Sequence, residues 1–216
     1  MGIVLTHGAN SLPKIWSRPV EIGGRIYPTV KIGNLIWMAE NLQWELQPII
    51  IDGPFTSDSD TTPRAWYYNR DKSNYGLDGM YKCGLLYNGF SVPIINAELA
   101  SVGNGWRVPS ESDFNLLKNE VQNAQRIKAI PNSINEGFPI LDWGGTNDYG
   151  FNLLPSGTAN VILGFIQLNE YCSLRSSTFS GTDNLRARFS IYDSSEFLIS
   201  YNVSGFGASI RLCKDA

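Results

Sequence analysis

Apolar and polar residues alternate with a period of two near the start of the chain. The stretch RIYPTVKIGNLIWMAENL, residues 25–42, reads as strand, turn and strand around Gly33 and Asn34. Such alternation is typical of half-buried strands, and a Gly-Asn pair between two of them is typical of a tight turn. The pattern predicts a hairpin that opens the domain.

A helical period follows in the middle of the chain. One apolar stripe is formed by Phe114, Leu117, Val121 and Ala124. Ser110 precedes the stripe as an N-cap, and acidic residues at 111 and 113 suit the positive end of a helix dipole. We expect the main helix to begin here and to be ended by Pro131. A shorter helix is predicted over residues 94–99.

Alternation with a period of two returns in the last third of the chain. The inward positions there are Leu185, Ala187, Phe189 and Ile191, and the outward positions are Arg186, Arg188, Ser190 and Tyr192. A turn at residues 193–195 leads into another strand, and a final strand has Ala208, Ile210 and Leu212 inward. One side of these strands is therefore predicted to pack a core while the other faces outward.

The order of these patterns predicts the fold class. Residues 47–75 are rich in Pro, Asp, Ser and Thr and are interpreted as a long loop that leads to a buried strand. A helix in the first half followed by short mixed or antiparallel strands predicts a loop-rich α+β fold. Residues 1–23 are interpreted as an irregular leader for attachment, and residues 24–216 as one domain.

Composition narrows the function classes. Charged residues make up 17% of the 216 residues, and the net charge is -3. This balance leaves no broad basic field for phosphates and so disfavours nucleic-acid binding. The first residues lack the apolar run of a signal peptide, and no later stretch is long and apolar enough to insert into a membrane.

The residues that usually carry enzyme chemistry are sparse. His7 is the only histidine, so hydrolysis with a histidine base and multi-histidine metal sites are disfavoured. Cys83, Cys172 and Cys213 are widely spaced and read as buried thiols, although one disulfide between an unspecified pair stays open. The acidic turns lack the ligand order of a calcium loop. We expect no catalytic residue, no metal and no cofactor.

The segment from Tyr171 to Leu212 uses a restricted set of residue types. It contains no Lys, Gln, Met, Trp, His or Pro, and Glu196 is its one Glu. Strands near turns naturally favour Ser, Tyr, Phe and Ile, so local structure is one explanation.

Several separated stretches resemble one family. In chain order they are TVKIGNLIWMAENL, GLLYNGFSV, GNGWRVPSESDFNLL, TNDYGFNLLPSG and GFGASIRLCKD. Together they are similar to the Fibrobacter succinogenes major paralogous domain, from about Gly24 to Asp215. The resemblance implies a C-type lectin-like fold of the formylglycine-generating-enzyme type. The chain lacks the cysteine pair and the histidine cluster of the enzyme relatives, and Arg175 stands where the family commonly has Trp, so the resemblance does not imply their catalysis.

The resemblance also suggests a second explanation for the restricted set of residue types. Lectin-like domains of this branch occur as variable proteins of diversity-generating retroelements, in which adenines of AAC or AAT codons are randomised near the C-terminus. Such randomisation never yields Lys, Glu, Gln, Met or Trp. The segment 171–212 meets this restriction apart from Glu196.

A binding surface is predicted on these late strands. Outward Arg and Tyr side chains on rigid strands offer contact area and directed donors, as in antibody paratopes. Ordinary solvated strand charges are the alternative interpretation of the arginines. The predicted ligand-binding residues are Tyr171, Ser173, Arg175, Arg186, Arg188, Tyr192, Phe197 and Tyr201.

The function expected from the sequence is non-catalytic ligand binding. The setting expected is a bacteriophage tail tip or fibre assembled in the host cytoplasm, whose partner is a bacterial surface protein or glycan and whose leader contacts other tail proteins. Such tail proteins favour a homotrimer, although no heptad pattern indicates one. The alternatives are a bacterial cell-surface adhesin of the same family, a purely structural virion component, and an enzyme with a carboxylate site.

Overall fold

The computed structural model describes residues 16–55, 60–71, 83–130, 143–160, 162–190 and 195–216. Its first sheet has four antiparallel strands in the order β1-β2-β3-β12. Their bounds are Trp16–Ile22 for β1, Arg25–Ile32 for β2, Leu35–Met38 for β3 and Cys213–Asp215 for β12. The predicted hairpin is confirmed as β2 and β3, and Gly33 adopts the positive φ of 59° that its turn requires.

The second sheet is small and lies within and just after the predicted long loop. Its strands are β4 (Ile50–Ile51), β5 (Arg64–Trp66) and β6 (Leu86–Tyr87). The first two strands pair in parallel, and the last two pair antiparallel. All three residues of β5 are buried, as the prediction of a buried strand requires.

The described residues include two α-helices, α1 (Val92–Val102) and α2 (Glu111–Val121), which follow β6 in the chain. Ser110 caps α2 as predicted, because its hydroxyl accepts a hydrogen bond from the Asp113 backbone while Asp113 bonds back to the Ser110 backbone. The predicted end at Pro131 is wrong. Gln122 adopts a left-handed φ of 60° directly after α2 and stops the helix, and Ala124 begins a separate 3-10 turn.

The third sheet carries the late strands in the order β11-β10-β9-β7-β8. Their bounds are Ser156–Asn160 for β7, Gly164–Leu168 for β8, Tyr171–Ser180 for β9, Asp183–Ser190 for β10 and Leu198–Val203 for β11. β9, β10 and β11 form an antiparallel meander, whereas β7 meets β9 in parallel.

The core lies between the sheets and the helices. Trp37 of β3 packs against Phe114 of α2 and against Phe151, with ring centroids 6.0 and 5.8 Å apart. The predicted inward residues are buried where they are described, namely Leu185, Ala187, Phe189, Ala208, Ile210 and Leu212. Ile191 lies outside the described residues.

The C-terminal segment 207–213 joins the three sheets. It forms isolated bridges to Tyr87 of β6, to Ala159 of β7 and to Leu174 of β9 before it becomes β12 beside β3. The last part of the chain thereby holds together strands that are distant in sequence.

The predicted α+β class is wrong, because strands make up 40% of the structure and helices 19%. The two described α-helices have 11 residues each, so neither forms a layer of its own. Some strands could not be predicted from local alternation. SGTAN in β7 has no apolar alternation and becomes a strand only because β8 and β9 pair with it. Residues 16–22 of the predicted leader form β1, and residues 1–15 lie outside the described part of the chain.

Candidate functional site

Strand register places five of the eight predicted binding residues on one side of the third sheet. Arg186 pairs with Arg175 and Arg188 pairs with Ser173 across β10 and β9. Tyr171 lies two residues before Ser173 on the same strand. Directly paired residues and alternate residues of a strand point to the same side. These side chains therefore share one side of the sheet.

The neighbouring strand β11 extends this side. Ser200 lies directly opposite Arg186, and Leu198 lies opposite Arg188. We call this surface the arginine face and define it by Tyr171, Ser173, Arg175, Arg186, Arg188, Leu198 and Ser200. It is opposite to the side on which Leu185, Ala187 and Phe189 enter the core.

Arg175 is the buried end of the arginine face. Its side chain has no solvent exposure, and its guanidinium donates to the carbonyl oxygen of Tyr87 at 3.3 Å, to Oδ1 of Asn184 at 3.1 Å and to the carbonyl oxygen of Phe206. Burial, together with the charge of Arg186, lowers the pKa of Arg175 to about 9. All three of its acceptors are neutral. Through them Arg175 connects β9 to Tyr87 of β6, to Asn184 of β10 and to Phe206.

Arg186 is half-buried and has few partners. Its Nη1 lies 3.5 Å from Oγ of Ser173, and its Nε is buried without a hydrogen-bond partner. Burial lowers the pKa of Arg186, and the nearby charge of Arg188 lowers it further. No carboxylate among the described residues forms an ion pair with this guanidinium.

Arg188 sits at the outer end of the face beside Tyr171. Its Nε donates to the Tyr171 hydroxyl, and its guanidinium carbon lies 5.5 Å from the centroid of the Tyr171 ring. Tyr171 itself is buried, with 6% of its surface exposed, so it orients Arg188 rather than reaching outward. The Nη atoms of Arg188 have no protein partner within the described part of the chain.

Three predicted residues do not join this surface. Phe197 is buried and packs against Phe189, with ring centroids 4.8 Å apart. Tyr201 is 42% exposed but pairs with Leu185, so it lies on the opposite side of the sheet. Tyr192 lies outside the described residues.

The sequence-based prediction missed Ser200. Its hydroxyl oxygen is buried without a hydrogen-bond partner, directly across from Arg186. The sequence feature that could have indicated it is the alternation in LISYN, which places position 200 on the same side of the strand as 198 and 202. A serine carries no chemical signature of its own, and only the register with β10 brings it beside an arginine.

Reactive groups elsewhere in the described structure are engaged or inert. Cys83, Cys172 and Cys213 are free and buried, and burial raises the pKa of each thiol. Within the described ranges no group of three His, Cys, Asp or Glu side chains is placed to hold a metal ion. In those ranges, too, no helix is long and apolar enough to cross a membrane.

Comparison with known proteins bears on most of the chain. The family model described as Fibrobacter succinogenes major domain matches residues 30–214. Neither a curated protein nor a solved structure gives a significant match. The matched region includes both helices, β3 to β11 and the whole arginine face.

Proposed function

The chain belongs to the Fibrobacter succinogenes major domain family, and we propose that it is a non-catalytic ligand-binding protein whose binding surface is the arginine face. The observation that carries this proposal is that no described residue supplies a counter-charge to Arg186 or Arg188. Their hydrogen-bond partners are the neutral hydroxyls of Ser173 and Tyr171. Two cations held close together without an anion weaken the fold, and such an arrangement is typical of a surface kept for binding.

Other arginines of the described chain show the contrast. Arg25, Arg64, Arg107 and Arg126 each form an ion pair with a carboxylate at 2.8 to 3.1 Å. At these four positions the fold supplies an acidic partner, which no described residue supplies to Arg186 or Arg188. The fully buried Arg175 and Arg211 bond to neutral oxygens instead. The same pairs engage Glu40, Asp60, Asp113 and Asp148, which argues against the alternative of an enzyme with a carboxylate site at these residues.

We further propose that the protein is the diversified receptor-binding component of a phage tail. The support is the restricted set of residue types in residues 171–212, with Glu196 as its exception. Outward positions of the arginine face carry Arg, Leu and Ser, which are all products of randomised AAC or AAT codons. A bacterial cell-surface adhesin with the same binding face remains the alternative setting, and cell fractionation separates the two.

Binding to intact bacteria tests the proposed function. Fluorescently labelled protein is added to a panel of strains from the source community and measured by flow cytometry. We expect binding to a subset of strains, and a loss of at least tenfold in the double variant R186Q/R188Q. The matched control is R18Q/K31Q, which removes the same charge from exposed positions of β1 and β2 in the first sheet.

The possible results separate the rival functions. Equal loss in both double variants would mean that net charge, and not the arginine face, drives binding. Unchanged binding in R186Q/R188Q would overturn the proposed function. If the folded double variant blocks particle assembly in the phage while cell binding persists, a structural role in the virion replaces receptor binding.

A further inference from the structure

The arginine face has guanidinium groups that are accessible to a ligand. Neither Nη2 of Arg186 nor the two Nη atoms of Arg188 has a hydrogen-bond partner in the described structure, and none of them is among its buried unpaired atoms. Both arginines are partly exposed, so these donors are neither paired nor fully buried. A guanidinium presents its donors as a planar fork that matches the two oxygens of a carboxylate.

A second observation points to a ligand at the same place. Nε of Arg186 and Oγ of Ser200 are both buried and unpaired, and the two residues lie directly opposite each other in β10 and β11. Buried polar atoms in proteins nearly always have partners, so two unpaired atoms in neighbouring positions are unusual. An acceptor lying over this pair on the arginine face would satisfy the arginine, and the serine hydroxyl can donate to the same acceptor.

The spacing of the two cations fits one compact anionic group. Arg186 and Arg188 are alternate residues of one strand, so their Cα atoms are about 7 Å apart and their side chains extend side by side. Burial and the mutual repulsion of the two charges lower the pKa of Arg186. An anion between the two guanidiniums would offset both effects, because an opposite charge favours the charged form of each arginine.

The surroundings favour a polar ligand over a protein surface. Tyr171, the aromatic residue of this face, is buried beside Arg188, so the described part of the face presents no exposed aromatic anchor. Protein interfaces usually centre on an apolar patch with aromatic anchors. A saccharide instead presents hydroxyl and carboxylate oxygens that accept hydrogen bonds from arginine donors.

We propose that the arginine face binds a carboxylate-bearing saccharide, with the carboxylate held between Arg186 and Arg188 and next to the Ser200 hydroxyl. This inference rests on the proposed function and names the class of its ligand. Arg175 remains outside the contact because it has no solvent exposure and each of its three side-chain nitrogens already donates to Tyr87, Asn184 or Phe206.

Calorimetric titration of the full chain with trigalacturonate tests this assignment. The matched probe is the methyl ester of the same trisaccharide, which keeps the sugar and removes the charge. We expect the acid to bind at least tenfold more tightly than the ester, and its affinity to fall as sodium chloride rises. R186Q and R188Q should each weaken binding of the acid by about tenfold, as expected for the loss of a charge-assisted hydrogen bond, while R18Q/K31Q leaves it unchanged.

The ester comparison needs no variant, so the test holds even if one variant fails to fold. Equal affinity for acid and ester, or no binding of either, would overturn the inference. Tighter binding of a glutamate-rich peptide than of the saccharide, lost in R186Q, would also overturn it and indicate a protein ligand. In those cases, cell binding that still depends on Arg186 and Arg188 would leave the proposed function standing. Loss of both saccharide binding and this cell binding would overturn the inference and the proposed function together.

Discussion

Arg211 donates a 2.7 Å hydrogen bond from Nε to Oδ1 of Asn41, a residue 170 positions earlier in the chain. Its other donors bond to the carbonyl oxygens of Phe151 and Asn152, and its guanidinium carbon lies 4.5 Å from the centroid of the Phe151 ring. Arg211 has no solvent exposure. One buried cation therefore joins the end of the chain to the loop after β3 and to the segment before β7.

We expect replacement of Arg211 by Met to destabilise the fold strongly. The change leaves the Asn41 amide oxygen and two carbonyl oxygens without this donor, and each unpaired buried acceptor costs about 1 to 3 kcal/mol. The free energy of unfolding, measured by urea denaturation, should fall by about 3 kcal/mol or more. Arg18→Met, at an exposed position of β1, is the control. A loss below about 1 kcal/mol would show that the contacts of Arg211 are dispensable.

The arginines of the arginine face should differ sharply in their contributions to stability. Arg175→Gln removes a buried donor from three neutral acceptors and should lower the free energy of unfolding by about 3 kcal/mol. Arg186→Gln removes a poorly paired charge and should change it by no more than about 0.5 kcal/mol, or raise it. Urea denaturation of the two variants measures the difference. Similar losses would mean that Arg186 also has a structural role.

Alkaline pH should weaken the fold through Tyr27. Burial raises its pKa from 10.0 to about 12, so above pH 10 the unfolded chain loses a proton that the folded chain keeps. A folded-state pKa that is raised gives stability that is complete below pH 10 and is lost as the pH rises toward 12. Relative to Tyr27→Phe, the wild type should lose about 1 kcal/mol of its free energy of unfolding between pH 8 and pH 11.

The comparison with Tyr27→Phe cancels the other groups that titrate in the same range, including the thiols and Arg211. The substitution also removes the acceptor for the Gln43 backbone N–H, which shifts stability by an amount that does not vary with pH. Tyr201→Phe, at an exposed phenol, is the control. A difference between wild type and Tyr27→Phe that stays constant with pH would contradict the prediction.

The cap of α2 should contribute measurably to stability. The Ser110 hydroxyl accepts from the Asp113 backbone N–H at 3.2 Å and donates to the Asp113 carboxylate at 2.9 Å. Ser110→Ala should lower the free energy of unfolding by about 1 kcal/mol, the usual cost of an N-cap. Ser101→Ala, at an exposed hydroxyl near the end of α1, should cost less than half as much. Equal thermal midpoints for the two variants would show that the cap is redundant.

Natural variation should follow the two sides of β10. We expect deep sequencing of codons 171–212 in the source population to find changes in adenine-derived codons at outward positions such as 186, 188 and 200. The inward Leu185, Phe189 and Leu212 should stay constant, because each is buried in the core. A uniform sequence would remove diversification from the proposal and leave a fixed ligand. Changes at the inward codons would contradict the assignment of the two sides.

The sequence by itself determined the local features. Alternation fixed which residues of β10 enter the core, because a strand turns successive side chains to opposite sides without help from any other segment. The β2–β3 hairpin and the Ser110 cap are likewise set by residues close together in the chain. Family membership was also readable, since its motifs are short contiguous stretches.

Tertiary structure alone decided which outward residues are accessible. Arg175 and Arg186 follow the same alternation rule, yet Arg175 is buried because the carbonyl groups of Tyr87 and Phe206 close over it. Strand register likewise brought Ser200 beside Arg186 and sent Tyr201 to the other side. The fold class also depended on such pairing, since β7 exists as a strand only through its neighbours. Burial and register arise from contacts between segments far apart in sequence, and no local pattern encodes them.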